Sequence, residues 1–144
     1  MGRSDPWRTS YAGRYFQFAA LAPAWPSTCV VGLLHAAGVE VLAGTDAAHL
    51  GAPGLAHGAS LHDELRLLEA GGLSPVEALT AATRRTADRF GLTDRGRIEP
   101  GASADLVLVD GDPTSQLSAT LNTRAVWRRG HRLTPADVTG GHDA

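Results

Sequence analysis

Apolar residues along this chain fall into two kinds of pattern, one with helical spacing and one of short runs between glycines. The stretch STCVVGLLHAAG, opened by Pro26-Ser27 and closed by Gly38, predicts a helix ending at a glycine in the C′ position. Residues 39–44, VEVLAG, are apolar on both faces, β-branched at Val39 and Val41 and bounded by glycines, which predicts a buried strand. SLHDELRLLEAGG places Leu61, Leu65 and Leu68 on one helical face, with Ser60 and Asp63 in capping-box spacing. SPVEALTAATRRTADRFG opens on Ser74, Pro75 and Glu77, a strong helix start, and sends Ala78, Leu79, Ala81 and Ala82 inward. Beyond it the period changes. GRIEPGASADLVLVDGDP reads as a Pro100-Gly101 turn, a strand over 106–109 and a further turn at Asp110-Gly111. TRAVWRRGHRL predicts a second strand, a turn at Gly130 and a short third strand.

These elements divide the chain into an irregular, aromatic and proline-punctuated segment (1–26), a helical part containing the first strand (27–92), a small β segment (93–133) and a flexible tail (134–144). Residues 46–60, DAAHLGAPGLAHGAS, form a long loop rich in Gly, Ala and His, a length usually tied to function or disorder.

With 144 residues, the chain is long enough to bury a core, and 43% hydrophobic against 19% charged content fits a globular protein. A formal charge of −2 gives no basic field for nucleic acid or an anionic membrane, and neither is expected as a partner. No apolar stretch approaches the roughly 20 residues of a membrane span, and the N-terminus lacks a signal-peptide apolar region. The single cysteine, Cys29, suits a reducing cytoplasm.

Chemistry centres on Asp46, set just beyond the first predicted strand in GTDA. Spacing alone leaves it a turn former, a helix cap or a catalytic carboxylate. The histidines are His35, His49, His57, His62, His131 and His142. His35 reads as structural, His131 and His142 as exposed. Asp110 and Asp112 read as turn residues, and Asp105 as a strand-entry residue that satisfies local backbone donors.

Five stretches in order, GVEVLAGTDA, the loop with HG, LHDELRLLEAGGLSPVEALTAATRRTADRFGL, GRIEPGASADLVLVDGDP and VWRRG, resemble the C-terminal end of an amidohydrolase-superfamily metal-dependent hydrolase. The nearest branch is the imidazolonepropionase-like and prolidase-like one. The resemblance implies an α/β fold: the last strand and helices of a (β/α)8 barrel plus part of a small β-sandwich domain. It also implies hydrolysis of a C–N bond in an amide, lactam or related small molecule, with a divalent metal, Zn2+ by family habit. Asp46 then becomes the acidic metal ligand and general base, since such barrels project catalytic groups from the carboxyl ends of their strands. His57 and His62 become candidate substrate-binding residues at the barrel mouth. Plain loop packing, or a zinc site built from Asp46 with His49, His57 and His62, remain the alternatives.

The chain also departs from the family pattern. It contains no H-x-H pair and no lysine, so all thirteen basic residues are arginine, and most barrel strands have no counterpart. Two functions follow: a portion of a hydrolase that needs a complementing N-terminal barrel chain, or a non-catalytic remnant or oligomerising scaffold. In either case an unpaired strand 39–44 predicts association with a partner or with further copies.

Overall fold

A computed structural model of the chain describes residues 27–47 and 58–134. The aromatic N-terminal segment, the loop stretch carrying His49 and His57, and the tail from 135 onward lie outside the described residues.

Helix α1 spans Ser27–Ala36. It ends as its sequence predicts: Gly38 sits at φ 76, its N–H donates to His35 O, and the Val39 N–H donates to Leu34 O, both at 2.9 Å. That pair of bonds satisfies carbonyls the helix leaves open, in a left-handed conformation glycine adopts without strain. Helix α2 spans Ala59–Ala70. The expected Ser60–Asp63 capping box does not form. Gly58 is the N-cap, Ser60 lies inside the helix and is buried, and Asp63 pairs instead with Arg66 at 3.5 Å. Leu65 and Leu68 face the core as expected, whereas Leu61 is exposed.

Helix α3 spans Pro75–Ala82 and carries the predicted capping box in full. The Glu77 N–H donates to Ser74 Oγ at 3.3 Å, and the Ser74 N–H donates to Glu77 Oε2 at 2.8 Å. The single helix expected over residues 74–91 is broken at Thr83 (φ −127, ψ −90), after which α4 spans Arg84–Arg89. Thr80, Thr83 and Thr86 each donate a side-chain hydroxyl to a helix carbonyl (Val76, Leu79 and Ala81), and such bonds compete with helix continuation. The Gly96 backbone packs into the break: a Cβ there would lie 2.7 Å from Ala87 Cβ and 2.8 Å from Thr83 O.

Strands β1 (Leu106–Val109), β2 (Thr123–Arg128) and β3 (His131–Arg132) form one antiparallel sheet in the order β1-β2-β3. Leu106 faces Trp127 and Trp127 faces Arg132. Arg129 and Gly130, at φ 50 and 81, make the tight β2–β3 turn, whose hand suits strand twist. Asp105 acts further afield than its position suggests, because its Oδ1 accepts the Arg129 N–H at 2.7 Å and so pins that turn to the start of β1. Asp110-Gly111 ends β1 without making a hairpin. Asp112 accepts the Thr114 N–H at 2.9 Å and leads into a 3-10 turn at Leu117–Leu121, which sequence patterning treats as plain connector.

Leu65, Leu68, Leu73, Ala78 and Ala81 form the core together with Leu117 from the 3-10 turn. Burying each of these leucines contributes about 1.5–3 kcal/mol, so the leucine on that turn is a principal attachment of the β segment to the helices. Gly32 of α1 approaches Gly71 so closely that a Cβ at 32 would stand 2.6 Å from Gly71 O.

Residues 39–44 are not a strand. A strand requires a ladder partner, and β1, β2 and β3 pair only among themselves. Val41 and Ala43 still pack against the core. None of the described helices is long and apolar enough to cross a membrane.

Candidate functional site

Asp46 stands at the end of this unladdered segment, exposed and at φ 47. A left-handed conformation is uncommon for a residue with a Cβ, and Asp tolerates it better than most. Local bonds hold the segment around it. The Ala43 N–H donates to Ala81 O on α3 at 3.2 Å, and the Gly44 N–H donates to Glu64 Oε1 on α2 at 3.3 Å. The Ala47 N–H donates to Thr45 Oγ1 at 3.4 Å, which closes the chain around Asp46. Sequence patterning passes over Glu64. The signal available was its place one helical turn from Ser60 and one from Leu68, both buried, because a carboxylate on an inward stripe needs a partner.

Of the two candidate substrate-binding histidines, His57 is outside the described residues, as is His49. His62 lies on α2 and points elsewhere, its Nδ1 2.9 Å from Thr120 Oγ1 on the 3-10 turn. The Thr120 hydroxyl donates its one proton to Leu117 O at 2.7 Å, so the imidazole is the donor to it. Neutral His62 therefore carries its proton on Nδ1 and its lone pair on Nε2. Burial lowers the His62 pKa below the usual imidazole value, and the Asp63 charge only partly opposes this. His35 is structural, with Nε2 3.6 Å from Glu77 Oε1, so it links α1 to the start of α3. His131 is exposed on β3.

No group of three or more His, Cys, Asp or Glu side chains able to hold a metal ion exists among the described residues. Asp46 offers one oxygen donor, whereas a protein zinc site ordinarily draws three or four ligands. These residues alone do not fit a metal centre.

Residues 27–133 match the model of the amidohydrolase family. The chain is 36% identical over 100 residues to an imidazolonepropionase of Deinococcus deserti, covering 67% of this chain and 24% of that protein. It is 36% identical over 74 residues to an adenine deaminase of Lysinibacillus sphaericus, covering 51% of this chain and 12% of that protein. A crystal structure of an amidohydrolase superposes with a TM-score of 0.62 at 31% identity, covering 74% of this chain and 25% of the other. Molinate hydrolase shares the fold, with a TM-score of 0.68 at 21% identity over 76% of this chain and 27% of its own. The chain thus spans a quarter or less of these two curated relatives.

Proposed function

The chain belongs to the amidohydrolase family, and from that premise we propose that it supplies the carboxylate and part of the scaffold of a hydrolase acting on C–N bonds. The observation that carries this is the setting of Asp46, exposed and left-handed at the end of residues 39–44 and held to α2 and α3, within the span that matches the family. A carboxylate so placed accepts the proton of a water molecule attacking the carbon of the C–N bond and passes it to the departing nitrogen. Amidohydrolases are generally metal-dependent. On this reading Asp46 adds one oxygen to a metal shell whose other donors come from outside the described residues.

The same reading accounts for the fold. Residues 39–44 form a strand when a neighbouring strand is supplied, as the last strand of a barrel, while residues 93–133 belong to the small β domain. It also names a partner: a complementing N-terminal barrel portion, covering the unpaired segment and the apolar side of α1, where Val30, Leu33 and Leu34 are exposed. The substrate is a small molecule with a hydrolysable C–N bond, and adenine is the first probe given the adenine deaminase relative. The exposed free thiol of Cys29 suits a reducing cytoplasm.

The test is reconstitution. The chain is co-expressed with the N-terminal portion of the adenine deaminase relative, and ammonia release from adenine is measured with Asp46 intact and as Asp46→Asn. Activity in the first assembly and a loss of at least about 100-fold in the second are expected for a general base. An equally active Asp46→Asn assembly returns Asp46 to a turn residue. A soluble assembly without activity on adenine or on other cyclic amidines and lactams favours the scaffold function.

A further inference from the structure

We infer that Glu64 is a positioning residue for Asp46: its carboxylate on α2 holds the backbone of the Asp46 loop in place through the N–H of Gly44. The inference rests on the proposed role of Asp46, but its observations are independent of it. Among the described residues, 39–47 have no ladder partner, so in the chain by itself their backbone donors turn to other acceptors. Ala43 finds the Ala81 carbonyl and Gly44 finds Glu64 Oε1. Only the second is a side chain, and a carboxylate is a stronger acceptor for an N–H than a neutral carbonyl.

Two residues further along, Asp46 holds φ 47, a conformation that persists when its surroundings over-determine it. On the carboxyl side the Thr45 Oγ1–Ala47 contact spans Asp46. On the amino side the last tie is the Glu64 bond. Releasing that bond frees the loop to relax toward ordinary backbone, and the carboxylate turns with it. A misplacement of about 1 Å at a reacting group costs on the order of 100-fold in rate, so a residue that never touches substrate can govern this one. Gly44 itself is not spatially required, since a Cβ there would meet nothing within 4 Å. What the position contributes is its N–H.

The experiment uses the whole chain, isotopically labelled, with backbone amide exchange and chemical shifts read by NMR in wild type, Glu64→Gln, Glu64→Asp and Glu64→Ala. Gln keeps an acceptor oxygen at the same reach, Asp keeps the charge one methylene short of it, and Ala keeps neither. Gly44 exchange is expected to rise about five- to tenfold in the Ala and Asp variants and to return to the wild-type rate in Gln, as the loss and recovery of one modest hydrogen bond requires. The Asp46 and Ala47 resonances should move in the same two variants while those of Leu68 and Leu73 stay put. If Glu64→Ala does not fold, the Asp and Gln variants decide. Gly44 exchange indifferent to all three substitutions overturns the anchor. Gly44 released with Asp46 unmoved overturns the positioning role. The hydrolase proposal stands or falls on ammonia release by Asp46→Asn instead, so the two failures are distinct.

Discussion

His62 Nδ1 and Thr120 Oγ1 lie 2.9 Å apart and join helix α2 to the 3-10 turn that precedes β2. Because Thr120 also donates to Leu117 O, the imidazole proton, the hydroxyl and a backbone carbonyl form one relay beside the buried Leu117.

Cutting this relay should loosen the β segment from the helices. Thr120→Val keeps the shape but leaves the half-buried Nδ1–H without its acceptor, at a cost of about 1 kcal/mol. Thr120→Ser keeps the hydroxyl and should lie within about 0.5 kcal/mol of wild type. Urea unfolding of the three proteins, compared by midpoint at constant slope, checks both expectations.

The lowered His62 pKa gives the pH dependence a definite sign. The unfolded imidazole, with the ordinary value of 6.5, binds a proton more readily than the folded one. Stability from this group is therefore full above 6.5 and declines as pH falls through it. Asp94 shifts the same way in proton-binding terms, at lower pH: hydrogen bonds from Arg95 and then Ser103 hold it at about 2. Glu77 and Asp112 are also lowered, through hydrogen bonds from Ser74 and from Ser115 with Thr114 respectively. Their stabilisation persists until pH drops below the ordinary carboxylate range and vanishes as they protonate. Thermal melts should thus show a first, shallow loss of stability that sets in as pH falls through 6.5, absent in His62→Gln, and a second at acid pH that the substitution leaves in place.

How much of this was legible in the sequence depends on the range of each interaction. The Ser74-Pro75-Glu77 start, the Gly38 stop and the Gly130 turn are local chemistry, and each appears where the residues predict. The long-range ties were not legible. Nothing in SADLV announces that Asp105 will accept the Arg129 N–H, no periodicity marks Leu117 as core, and the place of Glu64 on an inward stripe does not name Gly44 as its donor. VEVLAG fails as a strand for the same reason, because its composition fits one while the partner that would make it one is missing from the sheet. Asp46 stands out as a candidate only through the ordered resemblance of five stretches, since spacing around it fits a turn former or a cap equally well.

Close helix approach offers a contrast at two glycines. Gly32→Ala gains about 1 kcal/mol in helix propensity, but its Cβ would meet Gly71 O at 2.6 Å, a backbone atom that cannot rotate away. Overpacking of this kind costs about 1–3 kcal/mol, so the variant should be less stable on balance, with α1 displaced from α2. Gly44→Ala faces open space and should stay within about 0.5 kcal/mol of wild type. Denaturant midpoints for both variants separate a steric requirement for glycine from mere occurrence.

The last prediction concerns metal. Affinity for a divalent ion follows the number of ligands and their preformed geometry. The described residues bring one carboxylate, Asp46, to the end of residues 39–44, with His62 engaged at Thr120 and no third donor assembled. A single oxygen of this kind competes poorly with water for zinc. The purified chain, loaded with excess Zn2+ and dialysed, should therefore retain far less than one equivalent by elemental analysis, and Asp46→Asn should change that amount little. If the proposed function is right, the same carboxylate joins donors from a barrel portion in the reconstituted assembly, and bound metal should rise toward stoichiometric and fall again in Asp46→Asn. One equivalent held by the chain alone and lost in Asp46→Asn would instead show that Asp46 with His49 and His57 builds a self-contained site, and the need for a complementing barrel would disappear.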